Sequence, residues 1–288
     1  MYDVSTLPSA SGAVGPAHGP ALGPALGPAL GLTGGPAAGP AGGPALLVIA
    51  HGSRDPRHAA TVHALTGLVR ELRPGLRVET AYLDFNAPSV PGVLAALHAS
   101  GVREVVALPL LLTRAFHAKA DIPAVLAEAT SRLPGLEVRV ADVLGPDPLL
   151  HAALERRLWE AGLSPADRAT TGVVLAAAGS SDPEAIAAIA ETAREWRLTG
   201  WCAVRPAFAS AALPTTAEAV RALRAEGVRR VVVAPYVIAP GRLPDRIAAG
   251  AAEADLLAPV LGAAPELAAL ILSRRDACAA VTPTALSA

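Results

Sequence analysis

Residues 45–56 read Ala-Leu-Leu-Val-Ile-Ala-His-Gly-Ser-Arg-Asp-Pro, and the fold turns on them. Leu46 to Ala50 is a continuous apolar run with β-branched members, the pattern of a strand buried on both faces of a parallel sheet. It stops at His51. Gly52 and Ser53 supply a tight turn, Asp55 an N-cap, and Pro56 suits a first helical turn. Such a strand–turn–helix junction puts His51 just beyond the carboxyl end of a strand, the edge where open α/β sheets take their ligands.

Downstream the pattern alternates. A first helix follows Pro56 with Val62, Leu65, Leu68, Val69 and Leu72 on one face. Strands are predicted at Leu76–Leu83, Glu104–Leu111 and Glu137–Val143. Helices are predicted near Ser89–Ala99, near Ile122–Arg132 behind Asp121 as a cap, and from Pro148 to Ala161. Strands alternating with helices in this way imply a parallel sheet covered on both faces.

The pattern then repeats. The apolar run Val173–Ala178 leads into Gly179-Ser180-Ser181-Asp182-Pro183, matching Gly52-Ser53-Arg54-Asp55-Pro56. Ala203–Phe208 answers Arg77–Tyr82, Pro214 answers Pro88, and Gly227–Val232 answers Gly101–Val106. Val260-Leu261-Gly262 and Pro265 echo Val143-Leu144-Gly145 and Pro148. The chain is therefore read as two tandem, duplicated α/β domains, 45–168 and 169–281, each a mainly four-stranded parallel sheet with helices on both faces. Residues 1–44, in which Gly-Pro-Ala-Leu recurs, lack the charge and the bulky apolar groups of a core and are expected to be a disordered tail. A short tail is expected at 282–288.

Duplication allows one copy to be compared with the other. His51 corresponds to Ala178, Asp84 to Ser210, and His117 to Leu243. The second copy keeps the scaffold and lacks the groups that bind metal or move protons, which points to one active site, in the first copy. Two neutral imidazoles with a nearby carboxylate suit a divalent first-row metal, and a sparse set leaves positions open for exchange.

Composition narrows the function. A formal charge of −1 over 288 residues argues against broad nucleic-acid binding. No apolar run has the length to span a bilayer, and no secretory pattern opens the chain. Cys202 and Cys278 have no metal or redox spacing, which suggests reduced thiols and a cytoplasmic location. The Gly-x-Ser-x-Gly elbow, the Arg-His-Gly phosphatase motif and the glycine-rich phosphate loops are all missing.

His-Gly-Ser-Arg-Asp-Pro after the first strand, with Leu-Pro-Leu-Leu-Leu-Thr-Arg-Ala-Phe-His-Ala-Lys-Ala-Asp-Ile-Pro after the third, resembles the class II chelatases, and among them the sirohydrochlorin chelatases. The resemblance covers residues 45 to 275. It implies a lyase that inserts Fe²⁺ or Co²⁺, with Ni²⁺ as a further candidate, into sirohydrochlorin on the way to sirohaem or cobalamin. It places the family's catalytic, metal-binding histidines on His51 and His117. The family's acidic position is Asp84 here, usually a glutamate elsewhere. The chain looks like the fused form of relatives that dimerise, so a monomer is expected, with a cleft between its lobes for the flat macrocycle.

The metal is a substrate, and no permanently bound cofactor is expected. The carboxylates of sirohydrochlorin call for a cationic rim, and Arg54, Arg57, Arg114 and Lys119 are candidates by position. The amides of Gly52 and Ser53, at a helix start, are candidates for an anionic group. His58 and His63 fall off the apolar stripe of their helix and are expected in solvent. Phe116 and Tyr236 are weaker candidates for lining the macrocycle. A non-catalytic metal or tetrapyrrole carrier on the same fold is the alternative function.

Overall fold

The computed structural model describes residues 43–114 and 120–280. The expected tails, Gly43 and Pro44 apart, lie outside the described residues, as do Phe116, His117 and Lys119.

The run at 45–50 is a strand, β1 (Ala45–Ala50), with every residue buried. Asp55 caps α1 (Pro56–Leu72) by accepting the Arg57 N–H. Next come β2 (Val78–Tyr82), α2 (Val90–Ala99), β3 (Glu104–Pro109), α3 (Ile122–Thr130), β4 (Glu137–Val140) and α4 (Pro148–Glu160). The strands form one parallel sheet in the order β2-β1-β3-β4. After a short 3-10 turn at Pro165–Thr170 the chain builds the same thing again. β5 (Thr171–Ala177), α5 (Pro183–Arg197), β6 (Ala203–Phe208), α6 (Thr216–Ala225), β7 (Arg230–Tyr236), α7 (Arg242–Gly250), β8 (Leu256–Leu257) and α8 (Pro265–Ala280) follow. The second sheet, β6-β5-β7-β8, is also parallel and four-stranded. The duplicated α/β architecture expected from the sequence is what the chain adopts.

Strand ends differ from the predicted ones for local reasons. β2 starts at Val78, because the Leu76 N–H donates to the Arg73 carbonyl in a turn. β3 stops at Pro109, and the Leu111 N–H turns back to the Pro109 carbonyl. α3 begins after Asp121 without a side-chain cap bond from it.

One feature of the packing departs from a simple tandem pair. The last helix of each repeat packs on the other repeat's sheet. α8 lies against α1, β3 and β4 of the first lobe, while α4 lies against β7 of the second. Arg274 Nε donates to the Val143 carbonyl at 3.0 Å, Arg275 Nη2 to the Pro44 carbonyl at 2.6 Å, and Arg73 pairs with Asp276 at 2.6 Å. In the other direction Arg157 Nε donates to the Leu261 carbonyl at 2.9 Å, and Glu155 of α4 accepts from Trp196 Nε1 and pairs with Arg168. The buried faces of both sheets join in one core that includes Leu46, Val106, Leu150, Trp196, Leu267 and Ile271. Residues 43–114 and 120–280 belong to one compact unit. No helix among the described residues is long and apolar enough to cross a membrane.

Candidate active site

β1 ends at Ala50, so His51 stands at the carboxyl edge of the first sheet. The chain turns sharply there because Gly52 adopts φ +96°, and a Cβ at that position would collide with the Asp84 carbonyl oxygen. Only glycine tolerates both the conformation and the approach. The contact is held by the Leu83 N–H donating to the Ala50 carbonyl at 3.0 Å and the Asp84 N–H to the His51 carbonyl at 2.9 Å. Asn86 Oδ1 then accepts the Ser53 N–H at 2.7 Å.

The second lobe reproduces this loop. Gly179 has φ +90° and sits against the Ser210 carbonyl, and the Ala209 and Ser210 amides donate to Ala177 and Ala178. Even the left-handed residue recurs, Phe85 at φ 60° and Ala211 at φ 61°. What differs is the chemistry at the edge, Ala178 for His51.

The two edges face one cavity of about 420 Å³. The first lobe contributes His51, Gly52, Ser53, His58 and residues 110–113; the second contributes Ala178, Ile186, Ile189, Phe208, Tyr236 and residues 237–244. One wall therefore carries imidazoles, and the other is mostly hydrocarbon. Tyr236 is buried, its hydroxyl has no hydrogen-bond partner among the described residues, and burial pushes its phenol pKa far above the usual range. It stays neutral.

His58 was expected in solvent, and the structure corrects that. It occupies the first turn of α1, where its N–H donates to the Asp55 carbonyl at 3.0 Å, and its ring lines the cavity. Its Nδ1 is buried without a hydrogen-bond partner among the described residues. Burial, and after it the proximity of His51, hold its pKa below the ordinary 6.5. The ring is neutral at neutral pH and able to take a proton. Its place off the apolar stripe was uninformative, because the cavity that His58 lines lies at the sheet edge beside the start of α1 and not on the face that packs the core. The spacing of seven from His51 was the available signal.

The other expected residues divide. Asp84 follows β2 as predicted and its backbone is bonded to His51, but its side chain is exposed, accepts the Phe85 N–H at 2.8 Å and does not line the cavity. Ser53 lines the cavity, yet its amide is taken by Asn86 and does not serve as the expected anion donor. Arg54 is exposed, with its guanidinium 5.2 Å from the centre of the Phe85 ring. Arg57 clasps Asp55 at 2.5 Å. Arg114 pairs with Asp142 and does not line the cavity. His63 is exposed, 3.4 Å from the Tyr82 hydroxyl. His117 and Lys119 lie outside the described residues. Among the described residues no three His, Cys, Asp or Glu side chains gather closely enough to hold a metal.

Two parallel sheets whose carboxyl edges line one cavity, one edge bearing imidazoles and the other mostly apolar, define a two-lobed α/β protein with an asymmetric cavity. The chain belongs to the CbiX family, whose model matches residues 45–161 and 172–277, once for each repeat. It is 29% identical over 207 residues to the sirohydrochlorin cobaltochelatase of Priestia megaterium, covering 70% of this chain and 67% of that one. It is 28% identical over 207 residues to the sirohydrochlorin ferrochelatase of Bacillus subtilis strain 168, covering 70% and 77%. The structure of SirB from Bacillus subtilis with Fe³⁺ superposes with a TM-score of 0.71 at 24% identity, covering 83% of this chain and 96% of that one. At that identity the likeness is one of fold.

Proposed function

We propose that this chain is a sirohydrochlorin chelatase, a lyase that inserts Fe²⁺ or Co²⁺ into sirohydrochlorin. The observation that carries the reading is the cavity between the two sheet edges, with His51 and His58 on one wall and an apolar wall opposite. The relatives named as cobaltochelatase and ferrochelatase support the reaction class.

Insertion exchanges two pyrrole N–H protons for one M²⁺. The site must seat a flat, conjugated ring, bring a weakly held cation to its centre and accept protons there. An apolar wall suits one face of the ring. Imidazoles on the other wall suit both remaining tasks, because an imidazole ligates metal weakly and can accept a proton. His51 and His117 act as the metal-handling pair in this reading, with His117 assigned by the family resemblance. The Tyr236 phenol stays protonated and takes no part as a base. Asp84, on the exposed side of the loop, holds the turn beside His51 and acts on incoming cations from solvent. Arg54 and Arg57 line the groove that adjoins the cavity, and Arg54, which has no carboxylate partner among the described residues, is the one that meets the anionic substrate. The free thiols Cys202 and Cys278 suit a reducing cytoplasm, and two lobes sharing one core suit a monomer.

The test is the absorbance of sirohydrochlorin mixed with purified protein and either Fe²⁺ or Co²⁺. Many equivalents converted per protein, faster than without it, is the expected result. Stoichiometric binding with no acceleration would instead make the chain a carrier.

A further inference from the structure

Beside the cavity runs an open groove lined by Arg54, Arg57, Arg242 and Arg246 together with Asp55 and Asp245. Ser53 and Arg242 line both, so the two spaces adjoin. The groove crosses from one lobe to the other: Arg54 and Arg57 flank the start of α1, while Arg242 and Arg246 lie in the first turns of α7. Gly241, which precedes α7, faces Ser53, and a Cβ on it would stand 3.8 Å from the Ser53 hydroxyl.

The charges here do not cancel. Arg57 is satisfied by Asp55 at 2.5 Å and reaches Asp245 at 3.6 Å. Arg54, Arg242 and Arg246 make no ion pair among the described residues. Elsewhere Arg73, Arg156, Arg168 and Arg230 each have a carboxylate within 3.0 Å. The duplication supplies an internal control: Ser181 and Glu184 stand where Arg54 and Arg57 stand, so the scaffold does not require basic residues at these positions.

We propose that Arg242 and Arg246 of the second lobe, with Arg54 of the first, clamp peripheral carboxylates of the tetrapyrrole and so set how the ring enters the cavity. This rests on sirohydrochlorin being the substrate. Guanidinium forks match carboxylates in geometry and charge, and a clamp spanning both lobes orients the ring more tightly than a cationic rim on one. The second lobe is then a binding partner to the ring as well as a wall.

The experiment is a titration of the full chain with sirohydrochlorin in the absence of metal, at several salt concentrations, alongside steady-state insertion. Arg242→Gln and Arg246→Gln should each weaken binding about three- to tenfold and the double variant about ten- to a hundredfold. The double variant should also lose much of the salt dependence seen with the wild type. KM for sirohydrochlorin should rise while KM for the metal stays put. Arg197→Gln/Arg229→Gln removes two charges whose arginines also make no ion pair among the described residues, away from the groove, and should bind as the wild type does. Equal binding by the groove and control variants would overturn the clamp and leave the chelatase reading standing. Groove-dependent binding without any acceleration of insertion would uphold the clamp and remove the catalytic reading.

Discussion

His51 and Phe85 meet edge to face, ring centres 6.1 Å apart and planes at 79°. Phe85 is half exposed and sits in left-handed backbone, φ 60°, conditions an aromatic residue does not choose for stability. Its counterpart Ala211 shows that the turn needs no ring. Phe85 thus steadies His51, and the Arg54 guanidinium lies 5.2 Å from the centre of the same ring. Phe85→Gly should relieve about 1 kcal/mol of backbone strain and raise Tm, yet slow insertion by freeing the imidazole. A thermal melt together with kcat on the same variant checks both signs, and unchanged kcat would dismiss the steadying role.

His51→Ala should abolish turnover while melting and circular dichroism stay near those of the wild type, because the ring lies at a cavity and packs no core. His117→Ala is expected to behave alike on the family resemblance. Near-normal insertion rates in both would dismantle the assignment.

His58→Gln should lower the insertion rate less severely than His51→Ala. It removes a neutral base from the cavity wall and leaves the α1 backbone bond to Asp55 intact. Full activity across the pH range would return His58 to a packing role.

Gly52→Ala and Gly179→Ala impose the same strain in the two lobes, on the order of 1–3 kcal/mol or more with the carbonyl collision added. Both should lower Tm by comparable amounts. Only Gly52→Ala should also reduce activity per folded molecule, since only that loop carries an imidazole. Equal activity losses in the two variants would mean that both lobes react.

His151 stacks on Trp196, ring centres 6.1 Å apart, and burial holds its pKa below 6.5 against the weaker opposing pull of Thr192, Glu195, Glu155 and Asp147. Protonation then favours the unfolded chain. Its stabilising share is present above the unfolded pKa of about 6.5 and is lost as pH falls through that value toward the lower folded one. His151→Phe keeps the stacking and should flatten the decline of Tm between about pH 7 and pH 5. An unaltered decline would place the titrating group elsewhere.

Much of this was legible in one dimension. Ala203–Phe208 was expected as a strand and is one, and the Gly-Ser-x-Asp-Pro junctions recur with matching backbone. Both depend on local signals: apolar runs, glycine at a left-handed position, aspartate at a helix start. Arg242 and Arg246 escaped because nothing local marks them, and His58 because its one mark, the spacing of seven from His51, does not say which way the ring points. Each is a polar residue in a helix's first turns, and what makes it a site residue is the sheet edge or the opposite lobe beside it.

The sequence by itself determined the two repeats, their strand–helix alternation and the loss of imidazoles from the second, since these follow from nearest-neighbour chemistry and a comparison of the halves. Only the tertiary structure decided that α4 and α8 trade places, that Asp84 turns outward and that four arginines from two lobes line one groove. An amphipathic helix fits either of two equivalent sheets equally well on its own pattern. Which one it covers is settled by long-range partners such as Arg274 with Val143 and Arg157 with Leu261.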